Sequence, residues 1–84
     1  MRMYELKQKE VINVRDGDRL GLVSDLEIDE TCGKIRELIV PAPGRILGMF
    51  GREQEYRIPW ACVKKIGEDL IIVECDTDKV VFDC

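Results

Sequence analysis

Histidine is absent from this 84-residue chain, which removes the commonest general base, proton shuttle and zinc ligand. Serine occurs once, at Ser24, in a stretch of strand-like alternation with no base beside it. The cysteines stand at 32, 62, 75 and 84 and form no C-x-x-C pair, so the usual zinc knuckle is missing too. Gly44–Gly51, G-R-I-L-G-M-F-G, leads into no helix and lacks the Lys-Ser/Thr ending of a phosphate-binding loop. No apolar run approaches the ~20 residues of a membrane-spanning helix, and no charged-then-apolar leader opens the chain. A basic platform is lacking as well. Residues 1–41 carry seven Lys/Arg against nine Asp/Glu, and residues 42–84 carry six against eight. The net charge of −4 therefore argues against phosphate backbones as the main partner.

These absences predict a cytoplasmic protein that is not an enzyme and holds no metal or cofactor. The four thiols are expected to be reduced and separate, as is usual where no secretory signal accompanies cysteine. Cys62 reads as a small core residue on a turn after Trp60, and Cys84 as part of a loose tail. The competing reading of Cys62, a nucleophile activated by Lys64 or Lys65, is the weaker one.

What the chain does contain is a series of short apolar runs punctuated by glycine and proline. Leu22, Leu26 and Ile28 alternate with Ser24, Glu27 and Asp29, the two-residue period of a half-buried strand. Val23 breaks that phase, and Gly21 marks a bend or bulge near its start. Ile35, Leu38, Ile39 and Val40 resume the pattern, so Glu30–Gly33 reads as a hairpin connection with Gly33 at positive φ. Asp25, Glu27, Asp29 and Glu30 crowd this stretch, but a strand spaces alternate side chains by about 6.6 Å along one wet face. A calcium loop would need glycine at its sixth position and glutamate at its twelfth, where this chain has Glu30 and Arg36. Arg15–Asp18 and Gly67–Asp69 read as tight turns, and Pro41–Gly44 as the stop of the second hairpin strand. Tyr56–Trp60 alternates, Trp60–Val63 makes one turn, and Leu70–Val73 is a continuous apolar strand. No segment holds a helical period over the ~11 residues of an average helix. The prediction is a single all-β domain, a small sandwich or barrel.

Two stretches resemble a known family: G-D-R-L-G-L-V-S-D-L-E-I-D followed by C-G-K-I-R-E-L-I-V-P, and F-G-R-E-Q-E-Y-R-I-P-W-A-C-V-K-K-I-G-E-D-L-I-I-V. The first is similar to the opening of the PRC-barrel domain, which occurs in a photosynthetic reaction-centre subunit and a ribosome maturation factor. The second narrows the resemblance to the YlmC/YmxH group of small, sporulation-associated PRC-barrel proteins. The resemblance implies a strongly bent antiparallel barrel of SH3-like size, acting as an adaptor, and it supplies no catalytic residue. It fades after residue 75, so residues 1–75 read as the barrel and 76–84 as a C-terminal tail. Val80–Phe82 in that tail is β-prone and suited to a sheet edge.

Gly44–Glu55 is the stretch that points to function. Ile46, Leu47, Met49 and Phe50 lie among three glycines, with Arg45 and Arg52 flanking them. Such a loop is either a lid on the core or an adaptable sticky surface with a charged rim. Trp60 has the same two readings, core residue or groove lining. A homodimer, or a barrel docking an unidentified protein through residues 44–55, is the favoured expectation. An RNA- or ribosome-associated module is the alternative, and the acidic balance weighs against it.

Overall fold

The computed structural model describes residues 1–42 and 54–83. Strands take more than half of them, and the two helices are four residues each. The order is α1 (Met3–Leu6), β1 (Glu10–Asn13), β2 (Asp18–Leu22), β3 (Asp25–Asp29), β4 (Lys34–Ala42) and β5 (Gln54–Pro59). A 3-10 turn (Trp60–Cys62), β6 (Val63–Ile66), β7 (Leu70–Val73), α2 (Thr77–Val80) and β8 (Val81–Asp83) complete it.

Two four-stranded sheets result, ordered β2-β1-β7-β6 and β3-β4-β5-β8. Their ladders do not join into one closed ring among the described residues. The chain crosses between them after β2, at the 3-10 turn, and again between β7 and β8. Every pairing is antiparallel except that of β1 with β7, which is parallel and sets Glu10 against Leu70 and Asn13 against Val73. Glu10 N–H to Asp69 O and Val14 N–H to Val73 O extend that parallel ladder at both ends.

The core lies between the sheets. Val11, Leu20, Ile71 and Val73 come from the first, and Leu38, Val40, Tyr56 and Ile58 from the second. Leu6 of α1, Val23, Cys75 and Val80 of α2 fill its margins. Burying each large aliphatic side chain contributes about 1.5–3 kcal/mol, the main favourable term in a domain this small.

The turns follow the sequence. Gly17 and Gly33 both take φ of 76°, and each donates its N–H back four residues, to Asn13 O and Asp29 O. Asp29 Oδ1 accepts from Thr31 N–H at 3.0 Å and from Thr31 Oγ1 at 2.6 Å. These bonds, the hydroxyl's first and the amide's second, hold the Asp29 carboxyl below the usual carboxylate range. The acidic run is thus part turn-builder, part solvated strand.

Three local expectations change. The inward phase holds for Leu26, which packs against the core, but not for Leu22 and Ile28: Leu22 is 53% exposed, Ile28 is exposed as well, and Val23 is 2% exposed. The single strand read there is two strands in different sheets, so alternation restarts at the corner between Leu22 and Asp25. The β3–β4 ladder also slips between Glu27 and Ile28, which displaces Ile28 again. Gly21, with φ of 115°, is the expected bulge, opposite the register shift in β1. Pro41 does not stop β4, which runs on to Ala42. Its missing N–H is tolerated because β3 pairs β4 only as far as Ile39, leaving that side of Pro41 without a strand. Residues 76–84, expected as a tail, carry α2 and β8. Val80 is buried, and β8 pairs with β5 from Gln54↔Asp83 to Tyr56↔Val81.

One buried polar side chain stands in this apolar interior. Asn13 is 0% exposed, on the same face of β1 as Val11. Its Nδ2 donates to Cys75 O at 2.8 Å, while its Oδ1 accepts from Cys75 N–H and from Arg15 N–H, each at 3.2 Å. The amide therefore clamps both backbone groups of Cys75, as a neighbouring strand would.

Candidate interaction surface

The loop expected to carry function is anchored on directly paired strand ends, Ala42 on β4 opposite Gln54 on β5. Arg45, Ile46, Leu47, Met49, Phe50 and Arg52 lie outside the described residues. The stem beneath them is built by β4, β5 and the α2–β8 segment. Ala42, Gln54, Tyr56, Thr77, Asp78 and Val81 line a cavity of about 80 Å³ there. A drug-sized ligand needs roughly 300 Å³ or more, so this cavity is too small for one. Asp76 caps α2 at its start, its side chain accepting from Asp78 N–H at 3.1 Å.

Beside the stem, Glu55 sits opposite Phe82 in the β5–β8 ladder. Arg57 Nε donates to Glu55 Oε2 at 2.9 Å, and the Arg57 guanidinium lies 4.8 Å from the Phe82 ring centre. The exposed Phe82 ring is thus covered on one face by an arginine already paired to a carboxylate.

Trp60 is not a core residue. It is 38% exposed on the 3-10 turn, where the chain swings from one sheet to the other. It also stands at the far end of β5 from Gln54, about 20 Å along a six-residue strand. The structure therefore separates Trp60 from the anchors of the loop with which the sequence grouped it.

Cys62 is half-buried and packs against the core, and Lys64 and Lys65 are exposed. Burial, and then the neighbouring Cys62, Asp16 and Asp76, push the Cys75 thiol up, leaving it protonated at neutral pH. Cys32, Cys62 and Cys75 are free thiols. Among the described residues, no three His, Cys, Asp or Glu side chains converge as a metal site would require. No helix among them is long and apolar enough to cross a membrane.

The Asn13 clamp is the element that sequence reasoning missed. Its signal was present in E-V-I-N-V, where alternation puts an asparagine in the inward phase of Val11. Its partner, some sixty residues away, carried no such mark.

Comparison with known proteins agrees with this architecture. The probable sporulation protein YlmC of Bacillus subtilis (strain 168) is 46% identical over 69 residues, covering 82% of this chain and 85% of that protein. The uncharacterized protein YmxH of the same organism is 37% identical over 76 residues, 88% of each chain. An uncharacterized protein of Clostridium acetobutylicum is 37% identical over 71 residues, 84% of this chain and 80% of its own. The PRC-barrel domain model matches residues 1–80, which takes in the parallel β1–β7 pair, the clamp and α2. On this match and these relatives, the chain belongs to the PRC-barrel domain family.

Proposed function

We propose that this PRC-barrel domain is a non-catalytic adaptor that binds protein through residues 44–55, first of all a second copy of itself. One observation carries the reading. Ala42 and Gln54 are directly paired, so a turn of two to five residues would connect them, yet the chain uses eleven, 43–53. Four of these are large apolar residues, Ile46, Leu47, Met49 and Phe50. Joining β4 to β5 does not require so long a connection, and loops longer than their joining task usually serve binding. Shielding ~400 Å² of apolar surface is worth roughly 10 kcal/mol gross, before the cost of association. A two-fold contact would use the same loop from both chains. The free thiols fit a reducing, cytoplasmic setting. The printed name of YlmC, a probable sporulation protein, supports a role in that process.

Light scattering after size exclusion tests the reading. The wild type is expected to run as a dimer at high micromolar concentration, and Leu47→Asp plus Phe50→Asp as a folded monomer. A monomeric wild type sinks self-association, and a folded double variant that still dimerises removes the loop from the contact.

A further inference from the structure

We propose that β8 is a docking edge for the β8 of a second copy, the two strands pairing antiparallel about Phe82. The inference rests on the homodimer reading above and deepens it, naming where the two backbones meet. It starts from strand parity. In an antiparallel sheet the N–H and C=O of one residue point to the same neighbour, and successive residues alternate. Ser24 N–H donates to Ile39 O at 2.8 Å, so Ile39 faces β3. Leu38, Val40 and Ala42 therefore face β5, where they meet Ile58, Tyr56 and Gln54. No register shift interrupts the β4–β5 or β5–β8 ladder, so Glu55 faces β8 and exchanges its bonds with Phe82. Both prolines agree with this parity. It points Pro41 past the end of β3 and Pro59 past the end of β8, where no strand needs an N–H. Val81 and Asp83 then face away from β5, and β8 is the last strand of its sheet. Their N–H and C=O groups line an open edge.

That edge differs from the others. β2, β3 and β6, the other sheet ends, each pair through a ladder with a register shift, a device that blunts an edge against further strands. The β8 ladder has no shift, and Val81 and Phe82 are apolar. It is also self-complementary. An antiparallel β8 centred on Phe82 sets Val81 against the second copy's Asp83, and each exchanges both backbone bonds with the other. Phe82 meets its own counterpart as a non-hydrogen-bonded pair, with Cα atoms about 4.5 Å apart. The Phe82 ring is 41% exposed, and the Arg57 guanidinium covers one of its faces. The counterpart ring would shield apolar surface that a single chain leaves in water. Three residues bury less than the roughly 800 Å² per partner of a standard interface, so the strand contact does not act alone. Gln54, an anchor of the 43–53 connection, lies opposite Asp83, so the anchors of both copies would flank the two-fold axis.

Asp83→Pro tests the edge, because it removes an outward N–H and leaves the bonds between Phe82 and Glu55 in place. Light scattering at high micromolar concentration should find the wild type dimeric and Asp83→Pro monomeric, with unchanged far-UV circular dichroism. A cysteine on the axis supplies a second reading. With Cys32→Ser and Cys84→Ser, Phe82→Cys brings two thiols within disulfide range and should cross-link the dimer when oxidised with copper phenanthroline. Leu22→Cys, exposed on the other sheet, should cross-link far more slowly. The cross-link decides the matter if Asp83→Pro fails to fold. A folded Asp83→Pro that remains dimeric, or equal cross-linking rates at 82 and 22, would overturn the proposal. A dimer that survives Asp83→Pro but not Leu47→Asp plus Phe50→Asp keeps the loop and removes the edge. The opposite pattern keeps the edge and removes the loop, and a monomeric wild type sinks both.

Discussion

Replacing Asn13 tests the polar clamp most directly. Its amide meets one N–H and one C=O of Cys75 and the N–H of Arg15, all by bonds of 2.8–3.2 Å. In Asn13→Ala the two buried Cys75 groups lose their partner, at about 1–3 kcal/mol each. Arg15 N–H is nearer solvent and finds water. The total comes to about 2–6 kcal/mol, against the roughly 4–13 kcal/mol expected for a whole domain of this size. Asn13→Asp separates the acceptor from the donor. The introduced carboxylate keeps the acceptor but cannot donate to Cys75 O, and it places a charge in the core. Burial raises such a carboxyl's pKa in the folded state above the unfolded value of about 3.9. The folded state then binds the proton more tightly. The deficit from ionisation is absent below the unfolded pKa, grows by about 1.4 kcal/mol per pH unit between the two values, and is constant above the folded one. Urea unfolding at several pH values, with the wild type beside each variant, reads this out. Asn13→Asp should approach the wild type near pH 4 and fall furthest below it at neutral pH. A deficit equal at both pH values, or an Asn13→Ala cost under about 1 kcal/mol, would refute the clamp.

Gly33→Ala should cost about 1 kcal/mol, since φ of 76° is the left-handed region that alanine reaches with modest strain. Gly21→Ala should cost more in the same urea assay. At φ of 115° the backbone itself resists, while the added methyl meets Val40 Cγ1 at an ordinary 3.6 Å. Trp60→Ala should lose no more than about 1–2 kcal/mol, well short of the 3–5 kcal/mol of a core tryptophan. Its fluorescence in the wild type should be readily quenched by acrylamide. A chain ending at Asp76 should still fold, with stability lower by about 2–4 kcal/mol from the loss of Val80 and β8. An unfolded product would place the boundary of the barrel beyond residue 75.

Local order was legible wherever glycine or period-two alternation wrote it. Gly17, Gly33 and Gly67–Asp69 turned where the sequence turned them, and Tyr56–Pro59 and Leu70–Val73 became strands. The PRC-barrel resemblance gave the class of fold. Alternation failed between Leu20 and Ile28, because a chain that changes sheets keeps its apolar residues but resets which way they point. Pro41 misled because its effect depends on whether a neighbour needs its N–H, and sequence does not show where β3 begins. Trp60 misled for a related reason: size argues for the interior, whereas position on a corner decides otherwise. The candidate site was readable as a composition, four large apolar residues among glycines, but not as a place. Only the Ala42↔Gln54 pairing shows how much longer the connection is than the gap it spans.

The parallel pairing of β1 with β7 has a consequence for how the protein is made. β1 and β2 can meet as soon as residue 22 leaves the ribosome, since nothing longer than a hairpin separates them. The strand that flanks β1 on its other side is not yet translated. At roughly 5–20 residues per second, the sixty or so residues to β7 take on the order of 3–12 s, far longer than a hairpin needs to form. For that interval the nascent chain holds β1 with one side unsealed and Asn13 without Cys75 to bind. The second sheet's β3, β4 and β5 emerge in consecutive order and can pair as they appear. Both sheets therefore wait for a late strand, the first for β7 and the second for β8, and no local hairpin sets when the domain closes.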